Sequence, residues 1–185
     1  MRSEPGEVLH FSEDPTISRF EPRVPEDVAD GEAVVWAVDA PRCPDYWFPR
    51  DCPRAMAWSL PTTTRADRDR ILGPGCGDRV HAIEYRWLEA LRTVDVYAYR
   101  LPAIVFRPIG TPVPYAHVAT VPVEPIGQPE LVGDLLSLHE RAGIQLRVLA
   151  DLWPFWSEVT GSSLGYSGIR LHNAMPSANA CTDSH

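Results

Sequence analysis

Two short stretches carry reactive side chains to the ends of apolar runs: Val8-Leu-His-Phe-Ser-Glu-Asp-Pro15 and Val34-Val-Trp-Ala-Val-Asp39. His10 and Ser12 stand two apart, so on a strand both point to one face. An imidazole and a hydroxyl there can hold a polar ligand between donor and acceptor atoms. The plainer alternative is a core-edge histidine bonded to backbone, with Ser12 as a cap. Trp36 and Tyr46 offer aromatic faces on which a flat ring can stack. Arg50, Asp51 and Arg54 fall within the proline-stiffened loop Phe48-Pro-Arg-Asp-Cys-Pro-Arg54. Two guanidinium groups there can clamp a pyrophosphate or carboxylate; a salt-bridged loop accounts for them equally well. Glu84 and His117 are candidate catalytic polar groups, and a histidine serves as general base near neutral pH. His10, His117 and His172 show no HxH or HxxxH spacing, and no metal site is expected from them. Cys52 would be a nucleophile only if Arg50 and Arg54 lowered its pKa. The Gly73-Pro-Gly-Cys-Gly77 run lacks the Lys-Ser/Thr of a phosphate loop.

The elements that must position these residues follow from pattern. Val8 to Phe11 reads as a short strand, then Ser12 or Asp14 caps a short helix over 16–20. Ala33 to Val38 is β-branched and aromatic without a polar residue, the pattern of a central strand. Asp39 caps a helical turn to about Trp47. Ala55 to Leu60 is a further strand, and 61–78 a mobile surface loop. Residues 79–91 fit strand or helix. Val94 to Leu101 and Ala116 to Val123 read as strands, the second at an edge because of Pro122. Glu130 to Ala142 carries an apolar stripe and stops at Gly143, the pattern of a helix. Ile144 to Leu149 is a strand, Asp151 caps a helix to Val159, and Gly168 to Leu171 closes the chain's regular structure. Strands and helices do not alternate, which argues for α+β with a split, mostly antiparallel sheet and a few flanking helices. The reading is a single domain over 1–185, with 1–7 and 175–185 as tails.

Composition narrows the function classes. All 17 basic residues are Arg, against 25 acidic ones, for a net charge of −8. That balance opposes a generic nucleic-acid or membrane partner. No run reaches the roughly 18 apolar residues of a membrane helix. No leader pattern or CxxC pair is visible, so a cytoplasmic chain with reduced thiols is expected.

His10-Phe-Ser12, Val35-Trp36-Ala37 and Pro44-Asp45-Tyr46 resemble three elements of the ADP-ribosyltransferase fold of poly-ADP-ribose polymerase and diphtheria-toxin type: His-Gly-Ser/Thr, Tyr-Phe-Ala and Ala-x-Tyr. The resemblance implies NAD as substrate. It implies His10 and Ser12 bonding the nicotinamide ribose and amide, Trp36 or Tyr46 stacking on the ring, and Arg50 and Arg54 holding phosphates. Glu84 or His117 would be the catalytic group. The chain departs from the pattern at Phe11, where the family has Gly, and has no clean counterpart of the family's glutamate. Across nearly its whole length the chain also resembles a family of small uncharacterised bacterial proteins. His10-Phe-Ser-Glu-Asp-Pro, Val35-Trp-Ala-Val-Asp, Phe48-Pro-Arg-Asp-Cys-Pro-Arg, Tyr97-Ala-Tyr-Arg-Leu-Pro, Leu152-Trp-Pro-Phe-Trp and Ser167-Gly-Ile-Arg-Leu-His-Asn-Ala carry that resemblance. The expected function is an ADP-ribosyltransferase-like enzyme with a nucleotide or small molecule between its first two strands. The alternatives are a small-molecule tailoring enzyme of biosynthesis that uses the same cleft without NAD, and a non-catalytic ligand-binding module. The partner is a small molecule, and the oligomeric state is open.

Overall fold

The structure, a computed structural model, describes residues 4–24, 31–74, 77–110 and 113–176. The outer parts of both expected tails, and Cys76 and Cys181, lie outside the described residues. In chain order the elements are β1 (Glu7–Ser12), β2 (Val35–Ala37), β3 (Arg54–Trp58), α1 (Arg65–Asp67), β4 (Arg79–Glu84), α2 (Leu88–Thr93) and β5 (Tyr97–Pro102). There follow β6 (Arg107–Ile109), β7 (Ala116–Ala119), β8 (Glu130–Leu131), α3 (Leu135–Arg141), β9 (Gln145–Leu149), α4 (Trp153–Thr160) and β10 (Gly165–Ile169). The architecture is α+β, with mostly antiparallel sheets and a few helices.

Two compact units share the chain. The first comprises Met1–Arg50 and Val94–Gly133, the second Asp51–Thr93 and Asp134–His185. The first unit contains two antiparallel sheets, ordered β1-β5-β8 and β2-β7-β6. Among the described residues a single bridge joins them, Leu9 to Val38, through two backbone hydrogen bonds of 2.8 Å. Alternation sorts the side chains into two layers. Val8, Val35, Ala37, Tyr99, Leu101 and Ala119 pack with Phe20 and Val123 on one face. Leu9, Val38 and Cys43 pack on the other, with Phe11, Trp36 and Tyr46, beneath a 3-10 turn over Ala40–Tyr46.

The second unit is a four-stranded sheet, β10-β3-β4-β9, with only the β4–β9 pair parallel. On one face, Ala55, Ala57, Val80 and Ala82 lie against Leu152, Phe155, Trp156 and Val159 of the α4 region. The three alanines leave room for the two aromatic rings. The other face carries Met56 opposite His81, and there His81 meets His139 of α3.

Several local expectations change. No helix forms over 16–20, because Asp14 turns the chain: its Oδ1 accepts from the Thr16 amide at 2.8 Å and hydroxyl at 2.6 Å. Helix α3 starts at Leu135 rather than Glu130. The Asp134 carboxylate caps it by accepting from the Leu136 and Ser137 amides, and Glu130–Leu131 pairs instead with Tyr97 and Ala98. The last strand ends at Ile169; Arg170 then turns left-handed, with φ 54°. Residues 79–91 divide into strand and helix at Glu84. The 61–78 stretch begins a short helix capped by Thr64, which accepts from the Asp67 amide. Among the described residues no helix is long and apolar enough to cross a membrane.

Candidate functional site

The first unit holds a hollow of about 40 Å³ lined by Leu9, His10, Phe11, Trp36, Val38 and Tyr46. It lies where β1 and β2 part. Extending the Leu9–Val38 register would set Phe11 opposite Trp36, but among the described residues no ladder bond forms there. The His10 ring takes the place of that bond: its Nδ1 lies 2.7 Å from the Trp36 carbonyl oxygen. A carbonyl only accepts, so Nδ1 carries the proton and Nε2 keeps a lone pair. Burial lowers the His10 pKa, and the nearby Arg50 guanidinium lowers it further, against an upward pull from the carbonyl bond. The ring is therefore neutral at physiological pH. Phe20 lies against it, with ring centroids 4.6 Å apart.

Aromatic groups make the opposite wall. The Trp36 indole Nε1 donates to the Tyr46 hydroxyl at 2.8 Å, and Phe11 stacks on Tyr46 with centroids 6.1 Å apart and 13° between planes. Tyr46 arrives on the 3-10 turn that Pro41 and Pro44 stiffen. A hollow of this size takes two or three waters, or one amide-sized polar group.

The other candidates are placed elsewhere. Ser12 is buried and caps the turn after β1, its Oγ accepting from the Asp14 amide at 3.1 Å. It does not line the hollow. Arg50 is exposed, and its backbone amide donates to Glu13 at 2.7 Å. His117 stands on β7 opposite Ala37, its Nε2 3.9 Å from Asp39 Oδ2. That is too long for a hydrogen bond. Glu84 and Arg54 belong to the second unit. The buried Glu84 carboxylate accepts from the Met175 amide and from Arg86 Nε, both at 2.9 Å. Arg54 is buried, and its Nη1 donates to the Cys52 carbonyl at 2.9 Å.

Cys52 is wholly buried, and burial pushes its thiol pKa up to about 12, which opposes a nucleophilic role at neutral pH. His10 and His117 lie in the first unit, His172 in the second. Among the described residues no three His, Cys, Asp or Glu side chains gather as a metal requires.

The structure thus brings together His10, Trp36 and Tyr46 from the candidate set. It adds Phe11, which the sequence marks only as a departure from a family pattern. Its signal is parity: Phe11 alternates with His10, on the face of β1 that meets Trp36. Asp39 is also new, as the neighbour of His117. The 3-10 turn it opens receives no side-chain cap from it; the Arg42 amide donates to the Asp39 backbone carbonyl at 3.0 Å instead.

No curated protein and no solved structure matches the chain. The ADP-ribosyltransferase reading therefore stands on the residues quoted from the sequence alone. A family model does match, over residues 9–174, a span that runs from β1 past β10 and covers the hollow, and the chain accordingly belongs to the family of unknown function DUF6886.

Proposed function

We propose that the parting of β1 and β2 is a binding site for the flat, polar end of a small molecule or nucleotide. We further propose that the chain is an ADP-ribosyltransferase-like enzyme, with NAD the first substrate to try. One observation carries the reading: a void sits beside a neutral histidine and three aromatic rings, at the one place where the first two strands separate. His10 Nε2 would accept a hydrogen bond or a proton from the guest. Trp36, Phe11 and Tyr46 would bear on its ring. The size of the hollow suits the carboxamide of a nicotinamide, with the rest of the molecule lying outside. In this reading His117 is the catalytic candidate of the same unit, and Arg50 supplies positive charge near His10.

A specific observation favours a second reading, a small-molecule enzyme or binding module without NAD. Glu84, the carboxylate the transferase needs, is tied to Arg86 and to the Met175 amide. Calorimetry separates the two. Wild-type protein and His10→Ala are titrated with NAD, NADH and nicotinamide, after circular dichroism shows both folded. Heat with NAD that disappears in the variant supports the transferase reading. Heat with nicotinamide but none with millimolar NAD leaves the hollow and removes the transferase. No heat with any of the three removes both NAD and nicotinamide as guests of the hollow.

A further inference from the structure

In the second unit, β10 ends at Ile169, Arg170 turns left-handed with φ 54°, and residues 171–176 follow. Leu171 and Ala174 of this segment pack against Ala55, Ala82 and Leu152. Gly168 makes room for the first of them: a Cβ there would lie 2.5 Å from Leu171 Cδ1. Side chains from elsewhere in the unit hold the segment by its backbone. Met175 is held twice, its amide donating to Glu84 Oε1 at 2.9 Å and its carbonyl accepting from Trp153 Nε1 at 2.7 Å. The Asn173 carbonyl accepts from Arg86, whose Nε donates to the other oxygen of Glu84 at 2.9 Å. The Asn173 side chain donates to the Asp51 carbonyl at 2.9 Å.

Glu84, Arg86, Trp153 and Asp51 thus form a slot, filled by a segment that a single residue joins to β10. A second copy of the chain offers the same segment with the same atoms in the same order. Exchange between two copies therefore keeps these contacts and changes only those of the hinge. The balance between the closed chain and the exchanged pair then falls to Arg170. Among the described residues it is the one non-glycine at positive φ, where Cβ of an L-residue crowds the following carbonyl oxygen. Opening the hinge to an extended conformation relieves that crowding. An emptied slot, by contrast, takes from the buried Glu84 carboxylate and the Trp153 indole the partners they have in Met175. The hinge favours departure of the segment, and the slot favours being refilled.

We propose that residues 171–176 are an exchangeable strap: hinged at Arg170, they enter the Glu84–Arg86–Trp153 slot of a second copy, and the two copies form a reciprocal dimer.

The hinge gives the first test. Arg170→Gly and Arg170→Pro both remove the arginine side chain, but glycine adopts φ 54° without crowding, whereas proline, fixed near −65°, cannot adopt it. Wild type and both variants are refolded from urea at one high concentration and followed by sedimentation velocity. The dimer fraction should rank Arg170→Pro above wild type above Arg170→Gly, with the glycine weakening dimerisation about fivefold per hinge. Equal dimer fractions across the three proteins, or monomer throughout, overturn the exchange. Complementation gives the second test. Ala174→Glu spoils the strap and keeps the slot; Glu84→Ala spoils the slot and keeps the strap. Refolded together and weighed by native mass spectrometry, the two should give a mixed dimer in excess over either variant's own dimer. Dimers that form equally in every combination are an ordinary surface contact and refute the strap. Should either of these variants not fold, the hinge series decides alone, and within it wild type against Arg170→Gly suffices.

Discussion

His10 and His81 are both neutral histidines on strands, both lowered in pKa first of all by burial, yet they do opposite things. His10 sits where a ladder stops. One nitrogen holds the Trp36 carbonyl, and the ring borders a hollow. His81 sits in the middle of a complete sheet, with both nitrogens committed to Arg79 and His139. Burial and a shifted pKa alone therefore do not mark a site. What distinguishes one is a polar atom left over beside space, and here that follows from two strands that separate after a single bridge.

Stability measurements are the most direct way to break this contrast. His81→Ala removes the bonds to Arg79 and His139 and should cost about 3–4 kcal/mol in urea unfolding. His10→Ala removes one bond at a partly open position and should cost about 1–2 kcal/mol. Equal losses would show that the two histidines are not differently embedded. Glu84→Ala comes next, at about 2–3 kcal/mol, because it strips a buried acceptor from Arg86 and the Met175 amide; the same urea series reads it.

Guest affinity sharpens the comparison through pH. In the proposed site His10 would accept from the guest in its neutral form, and its folded pKa is lowered, so affinity should be flat from about pH 8 to 6.5 and weaken only below that. Calorimetry at several pH values checks the sign; a loss of affinity centred above pH 7 would contradict it. Tyr46→Phe should be milder, about 1 kcal/mol of stability for the bond from the Trp36 indole, by thermal or urea unfolding. The smallest expected effect is none at all. Peptide mapping after iodoacetamide near neutral pH should find Cys43 and Cys52 unmodified in the native protein, since burial raises both thiol pKa values to about 12. Labelling of either before unfolding would show that its segment opens readily.

Much of the fold was legible because it rests on local rules. The apolar runs at Val8 to Phe11 and Val34 to Val38 became β1 and β2, and Asp151 does bond the Trp153 amide at the start of α4. Glu130 and Leu131 misled, because their helical spacing carried no information about Tyr97, the strand partner that claimed them. Of the candidate residues, His10, Trp36 and Tyr46 line one hollow, whereas Ser12 caps a turn and Glu84 belongs to the other unit.

By itself the sequence determined which residues alternate, where proline and Asx turns stop a strand, and which polar types stand at strand ends. These depend on neighbours a few positions away. Only the tertiary structure decided that β1 and β2 bridge once and then part, that His81 finds His139 58 residues on, and that Glu84 closes on Met175. Such pairings depend on which distant backbones share a sheet and register, and one residue's shift in register would turn every side chain on a strand to its other face.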